Sequence, residues 1–404
     1  MSIFLEKAEA YREDMVRFLS ELTKIPSYSG KERDAVEMVR RKMEDLGFAD
    51  VHVDGLGNVL GRVGSGERII AFDGHLDVVD PGNRELWEKE PFSGFVDDQW
   101  VYGRGTVDQK SGFVAALYGM KILKELGCPP GISLYLVGSV MEEDCDGLCW
   151  KYIVQETGLK PDTLVVTEPS DLKIMRGQRG RVEFKIVVKG SSAHASMPEK
   201  GDNAVYKMCR LVMAIESLDR ELSGEPPLGK GSVVVSSIDS LAPSLNAVPD
   251  HCEIYIDRRL TSGESKETVF SQIKDILNRI GIQGHIVEQT FDGSSYRGVS
   301  FPMEKYYPSW LQDENSREVL AARKAYLDVF HGSPDVDCWK FSTNGTVAKG
   351  FFNIPCIGFG PGDPGMAHVP NERVNISDLV KASAFYSALP FFLDGKGQTD
   401  PGKE

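Results

Sequence analysis

Two histidines and a scattered set of carboxylates have the types and settings that support hydrolytic or metal chemistry. In AFDGHLDVV, His75 and Asp77 are two residues apart, so on an extended segment both side chains point the same way and one can orient the other. Asp108 sits in GRGTVDQKSG, Glu142, Glu143 and Asp144 form the acidic run MEED, Glu168 lies in TEPS, and His368 lies in PGDPGMAHVPNE. Each has an ordinary alternative: a hydrogen-bonded pair, a helix cap, a solvated acidic face, a solvated loop histidine. The phosphate-loop reading of GRGTVDQKSG fails, because Gln109 stands where a glycine must precede the Lys-Ser pair and Arg104 replaces the leading glycine. Taken together, two His, three Asp and three Glu without thiolate make a hard-metal inventory suited to zinc, manganese or cobalt. One aspartate can bridge two such ions roughly 3.5 to 4 Å apart, which lowers the pKa of a shared water and polarises a carbonyl.

The elements that must position these residues follow from periodicity. Apolar residues from Phe4 to Leu22 recur at helical spacing, and a second helix, with capping-box spacing at Ser29 and Glu32, runs to about Leu46. Short strands VHVDG, NVLGRV and RIIAFDGHLDVV precede the apolar helix GFVAALYGMKILKELG, which Gly127 stops. ISLYLVGSV and DTLVVTEP then read as buried strands. Continuously apolar strands alternating with helices predict a sheet covered on both faces, with ligands gathered at the loops leaving the strand ends. From RVEFKIVVKG to GHIVEQTF the order becomes strand, helix (Asn203 to Asp219), strand, strand, helix (Ser265 to Arg279), strand. This βαββαβ order predicts an inserted ferredoxin-like domain. The expected division is 1–179 and 294–404 for a catalytic α/β domain and 180–293 for the insertion. A helix from Asn315 to His331, the strand PCIGFG and a helix through Leu389 follow, and the tail DGKGQTDPGKE reads as polar and loose.

At 404 residues the chain exceeds what one core usually serves. A net charge of −14, with no basic cluster, disfavours nucleic acid and anionic membrane surfaces as partners. No apolar run is long enough to cross a bilayer and no signal-peptide pattern opens the chain. Seven scattered cysteines without a CxxC spacing point to a reducing compartment, the cytoplasm. Cys145 and Cys149 beside the acidic run read as ordinary thiols.

Read in order, HLD, GRGTVDQKSG, MEED, TEP, GSSAHASMPEKGDNAV and AHVPNE resemble the co-catalytic zinc hydrolases that include acetylornithine deacetylase, succinyl-diaminopimelate desuccinylase, aminoacylase and bacterial glutamate carboxypeptidase. The resemblance covers nearly the whole chain. It implies a zinc-peptidase-like α/β/α sandwich with an inserted dimerisation domain, a homodimer, and two divalent ions, zinc first, with cobalt or manganese as alternatives. It further implies one ion on His75, Asp108 and Glu168 and the other on Asp108, Glu143 and His368, with Asp77 orienting His75. Glu142 would be the general base toward the water between the ions. His194 would reach a neighbouring subunit's site to stabilise an oxyanion, and Asn246 with Arg258, or its neighbour Arg259, would bind the substrate's carboxylate. Two segments depart from the family pattern. Gln109 and Ser111 replace a common methionine and glycine, and Asn344, Gly345, Thr346 and Val347 replace the usual GGTD beside the substrate pocket; Asn344 and Gly345 are taken as substrate-binding positions. The implied reaction is hydrolysis of a peptide, N-acyl or ureido amide of a small amino-acid derivative. The competing reading is a catalytically silent scaffold of the same fold, which would be expected to have lost Glu142 or a ligand.

Overall fold

The computed structural model describes residues 2–393; Met1 and the tail 394–404, expected above to be loose, lie outside them. A mixed nine-stranded sheet forms the larger body. Its centre is the strand Arg68–His75, flanked in parallel by Ile132–Ser139 and Thr163–Val166. Consecutive residues of these three strands are buried, as expected for a sheet with both faces covered. Val59–Gly64 and Ala49–Val53 extend one edge as antiparallel strands. Cys356–Gly358, Ile174–Gln178 and Trp310–Leu311 extend the other, where Val336–Trp339 also pairs with Ile174–Gln178.

The helix Lys110–Leu126 is buried on nearly every side and packs against Ile376–Leu393. Two glycines set its approach to the sheet. A Cβ at Gly112 would lie 2.0 Å from the carbonyl oxygen of Thr167, and Gly105, at φ +88°, leaves room for Val78, so the helix begins directly against the carboxyl end of Thr163–Val166.

The smaller body is an antiparallel sheet in the order Gly284–Glu288, Gly180–Lys189, His251–Leu260, Ser232–Leu241. With helices Ala204–Glu221 and Lys266–Ile280, this is the ferredoxin-like arrangement of fourth, first, third and second strand. His251–Leu260 alternates buried and half-buried residues, and a separate apolar cluster, including Phe184, Ile254 and Ile273, fills the buried side. The sheet also takes a strand from beyond residue 293: Tyr306–Tyr307 pairs with Val182 and Arg181.

Two local expectations are corrected. The first helix is divided into Ile3–Ala10 and Arg12–Thr23 at Tyr11, whose ring packs 5.6 Å from that of Tyr118. The capping box is absent: Ser29 donates instead to Asp77 Oδ2 at 2.6 Å, and Glu32 Oε1 accepts from the backbone N–H groups of Gly30 and Met141. The Asp77 carboxylate thus claims the Ser29 hydroxyl, and buried backbone donors claim Glu32, in place of the helix end.

Candidate metal centre

The three parallel strands end side by side, and each delivers a polar residue at or just past its carboxyl end. His75 closes Arg68–His75, Glu142 follows Ile132–Ser139 by three residues and Glu168 follows Thr163–Val166 by two. Asp108 enters from the turn before the helix, and His368 from the loop 361–372. The peptide bond between Asp108 and Gln109 is cis.

These loops converge on Asp108. His75 Nε2 is 3.0 Å from Asp108 Oδ1, and His368 Nε2 is 3.1 Å from Asp108 Oδ2. One carboxylate thus faces an imidazole with each oxygen. Glu168 Oε1 and Glu142 Oε2 lie 3.6 and 3.8 Å from His75 Nε2, while Glu143 Oε2 lies 3.1 Å from His368 Nε2. His75, Asp108 and Glu143 offer ligand atoms within 4.8 Å of one another, as do His75, Glu142 and Glu168.

Behind the cluster stands a layer of residues that hold it in place. Asp77 grips the acidic turn: its two oxygens accept from the backbone N–H groups of Glu142 and Glu143 at 3.2 and 3.0 Å. It touches His75 mainly through its carbonyl oxygen, 2.9 Å from Nδ1, with the carboxylate 3.5 Å away. Met141, at φ +63°, is held in the left-handed region by the Glu32 contact. Glu372, unremarked in the sequence although it closes AHVPNE, is fully buried. Its Oε1 accepts from the N–H groups of Gly105, Val107 and Asp108, and its Oε2 pairs with Arg104. It ties the Asp108 turn to the His368 loop. Its signal was an acidic residue four places after a candidate ligand.

The cluster concentrates negative charge. Two unit charges 4.8 Å apart at an effective dielectric of about 20 repel by roughly 3 kcal/mol, and four carboxylates meet here. Burial raises Glu142 and Glu168 well above the usual range, and burial together with the Asp108 charge pushes Glu143 up to about 7. Burial opposes ionisation of Asp108 too, but hydrogen bonds from His368 and His75 hold its carboxyl below the usual range. Burial would lower His75, yet Asp108 and the surrounding carboxylates raise it well above normal, and hydrogen bonds to Asp108 and Glu143 push His368 up to about 10. Glu142 Oε1 is buried without a hydrogen-bond partner. Excess buried carboxylate, two imidazoles on one bridging residue and an orphaned oxygen fit divalent cations. Cys145 and Cys149 take other partners, Tyr307 and Asn344.

The remaining candidates lie apart from this cluster. His194 and Asn246 are neighbours on the small body, where Ala195 N–H donates to the Asn246 carbonyl and His194 bridges Ala247; the His194 ring is exposed and meets Ser196. Arg258 is corrected: it is fully buried and ion-paired with Glu264, so it presents nothing to a ligand, whereas the neighbouring Arg259 is partly exposed beside Asp257 at 2.8 Å. Asn344 is corrected likewise. Its amide is buried and bonded to Asp73, Ser139, Gly147 and Cys149, and Gly345 is closed over by Trp310. Asn344 thus ties Asp73 and Ser139, on neighbouring strands, to the Gly147 turn.

Comparison with known proteins agrees with this geometry. Residues 71–390 match the Peptidase family M20/M25/M40. The "uncharacterized protein YgeY" of Escherichia coli (strain K12) is 42% identical over 96% of each chain. Succinyl-diaminopimelate desuccinylase of Dinoroseobacter shibae is 27% identical over 93% of this chain and 98% of its own. The Bacillus subtilis YXEP protein, described as a dinuclear metal binding peptidase from M20 family, superimposes with a TM-score of 0.69 over 95% of this chain and 98% of its own at 15% identity, a likeness of fold. The chain therefore belongs to peptidase family M20/M25/M40 and is a metal-dependent hydrolase of C–N amide bonds.

Proposed function

We propose that the protein hydrolyses the amide bond of a small amino-acid derivative bearing a free carboxylate, with Glu142 as general base. The observation that carries this is the pairing of two imidazoles on opposite oxygens of Asp108, with the unpartnered Glu142 Oε1 beside them. His75, Asp108 and Glu168 would hold one ion, and Asp108, Glu143 and His368 the other, zinc being the first choice of metal. Bound ions supply Lewis acidity toward a carbonyl and lower the pKa of water. Asp77 fixes the backbone from which Glu142 projects. The Glu142 carboxylate would take a proton from the attacking water, hold it in a setting where burial favours the protonated form, and deliver it to the leaving amine.

The small body is assigned dimerisation and substrate recognition. Ser232–Leu241 pairs along one side only, and it exposes Val234, Ile238 and Leu241. Tyr206 and Met213 of the helix Ala204–Glu221 are exposed too. An open edge with apolar side chains suits a second copy of the chain. In that dimer His194 would serve the partner's site as an oxyanion donor, and Asn246 with Arg259 would bind the substrate carboxylate. A cytoplasmic location accords with seven free cysteines.

Incubating the metal-loaded protein with dipeptides and with N-acetyl, N-succinyl and N-carbamoyl amino acids tests the reading. Release of free amine from one class, and much less from its C-terminal carboxamide, is expected. A protein holding two ions that cleaves none of these would overturn it.

A further inference from the structure

Gln109 follows Asp108 directly and is fully buried, yet it carries a primary amide where an apolar side chain would fill the space. Its Nε2 donates to Glu168 Oε1 at 2.7 Å, and its Oε1 accepts from the Thr167 hydroxyl at 2.7 Å. The reverse amide orientation would set two oxygens 2.7 Å apart on Glu168, which is repulsive once that carboxylate is ionised. The orientation is therefore fixed by Glu168 itself. The same Glu168 oxygen lies 3.6 Å from His75 Nε2, so one lone pair is spent on the amide while the other remains directed to the space beside the imidazole.

We propose that Gln109 is a positioning residue for the His75 side of the centre: it holds Glu168 Oε1 in place for a divalent cation through the chain Thr167–Gln109–Glu168. This rests on the allotment of Glu168 to that ion. Thr167 anchors the far end through its backbone N–H, which donates to the Asp73 carbonyl oxygen at 2.9 Å, within the strand pair that delivers His75. Among the described residues no comparable amide touches Glu143, which is steadied through its backbone and by His368. The two sides of the centre are thus braced differently, and a change at residue 109 acts on one of them. Ligand-orienting residues of this kind alter metal affinity by roughly 10- to 100-fold when replaced.

The test is a cobalt(II) titration of the metal-free protein, followed by visible absorption and by equilibrium dialysis, for the natural protein, Gln109→Met and Gln109→Glu. Two binding steps are expected in the natural protein. In Gln109→Met one step should weaken by roughly 10- to 100-fold and the other stay within a factor of two or so. Gln109→Glu, which keeps the size but replaces the donor by a charge, should weaken the same step at least as much. Melting of the metal-free Gln109→Met protein separates a merely structural role. Equal weakening of both steps together with a lower melting temperature, or two unchanged steps, overturns the proposal. Absence of any cobalt binding in the natural protein would instead defeat the metal reading beneath it.

Discussion

The two bodies of this molecule hold their candidate residues in opposite ways. On the large sheet, Asp108, Glu142, Glu143 and Glu168 are fixed from behind by Glu372, Asp77 and Gln109, so their geometry exists before anything binds. On the small sheet, His194 rests against its own loop and Arg259 against Asp257, with no hydrogen bond or ion pair from the large sheet to aim them among the described residues. Reaction chemistry needs preorganised charge, whereas recognition can be completed by substrate and by a second subunit. On the proposed reading, the large sheet would supply preorganised charge and the small sheet the groups that complete the site with substrate and a second subunit.

The largest expected effect breaks the first region alone. Glu142→Ala should lower turnover by about 10²- to 10⁴-fold while elemental analysis still finds two ions per chain. Loss of the ions would make Glu142 a ligand, and an unchanged rate would remove it from the reaction.

A slightly smaller effect tests whether the second region acts across a dimer. His194→Ala should slow turnover by about 10²- to 10³-fold with metal content unchanged. Reassembling it with Glu142→Ala should restore activity, because the mixed dimer holds one site with both residues intact. No recovery in a verified mixed dimer would confine His194 to its own chain's site or to no site.

The paired arginines sharpen the contrast within the small body. Arg258→Ala strands the Glu264 carboxylate and should lower stability by about 3 kcal/mol, seen as a lower midpoint in urea. Arg259→Ala should leave the midpoint unchanged and raise KM for the carboxylate-bearing substrate. If Arg258→Ala changes KM without changing stability, the assignment is reversed.

The same contrast explains what could be read from the sequence. The α/β order and the βαββαβ insertion were legible because strand and helix periods repeat locally, and RVEFKIVVKG and HCEIYIDRRL do form neighbouring strands. His75, Asp108, Glu142, Glu168 and His368 drew notice by residue type beside strand ends and glycine turns. Glu372 did not, since its partners are backbone N–H groups some 264 residues away, and an acceptor for a distant backbone leaves no spacing to detect. Ser29 and Glu32 misled for a related reason: their capping-box spacing is genuine, but a deeper carboxylate claims Ser29 and a deeper backbone N–H claims Glu32. Arg258 and Asn344 show the reverse failure, where a polar residue in a plausible motif is absorbed by the interior.

The smallest expected effect is a count of protons. Without cations at pH 7, His368, whose pKa is pushed up to about 10, carries a proton, and Glu143, at about 7, is about half protonated. Both must lose protons to serve as ligands. Because raised pKa values mean protons bound before loading, metal uptake at pH 7 should release at least about one to two protons, the raised His75 and Glu168 adding to the count, and affinity should climb with pH through the neutral range. Calorimetric titration in two buffers of different ionisation enthalpy gives the number. His194→Ala, altered only on the small sheet, should release as many as the natural protein. A release near zero would mean that the imidazoles and carboxylates already stand in their ligand forms without cations, so that neither burial nor the crowding of charge around Asp108 raises their pKa values.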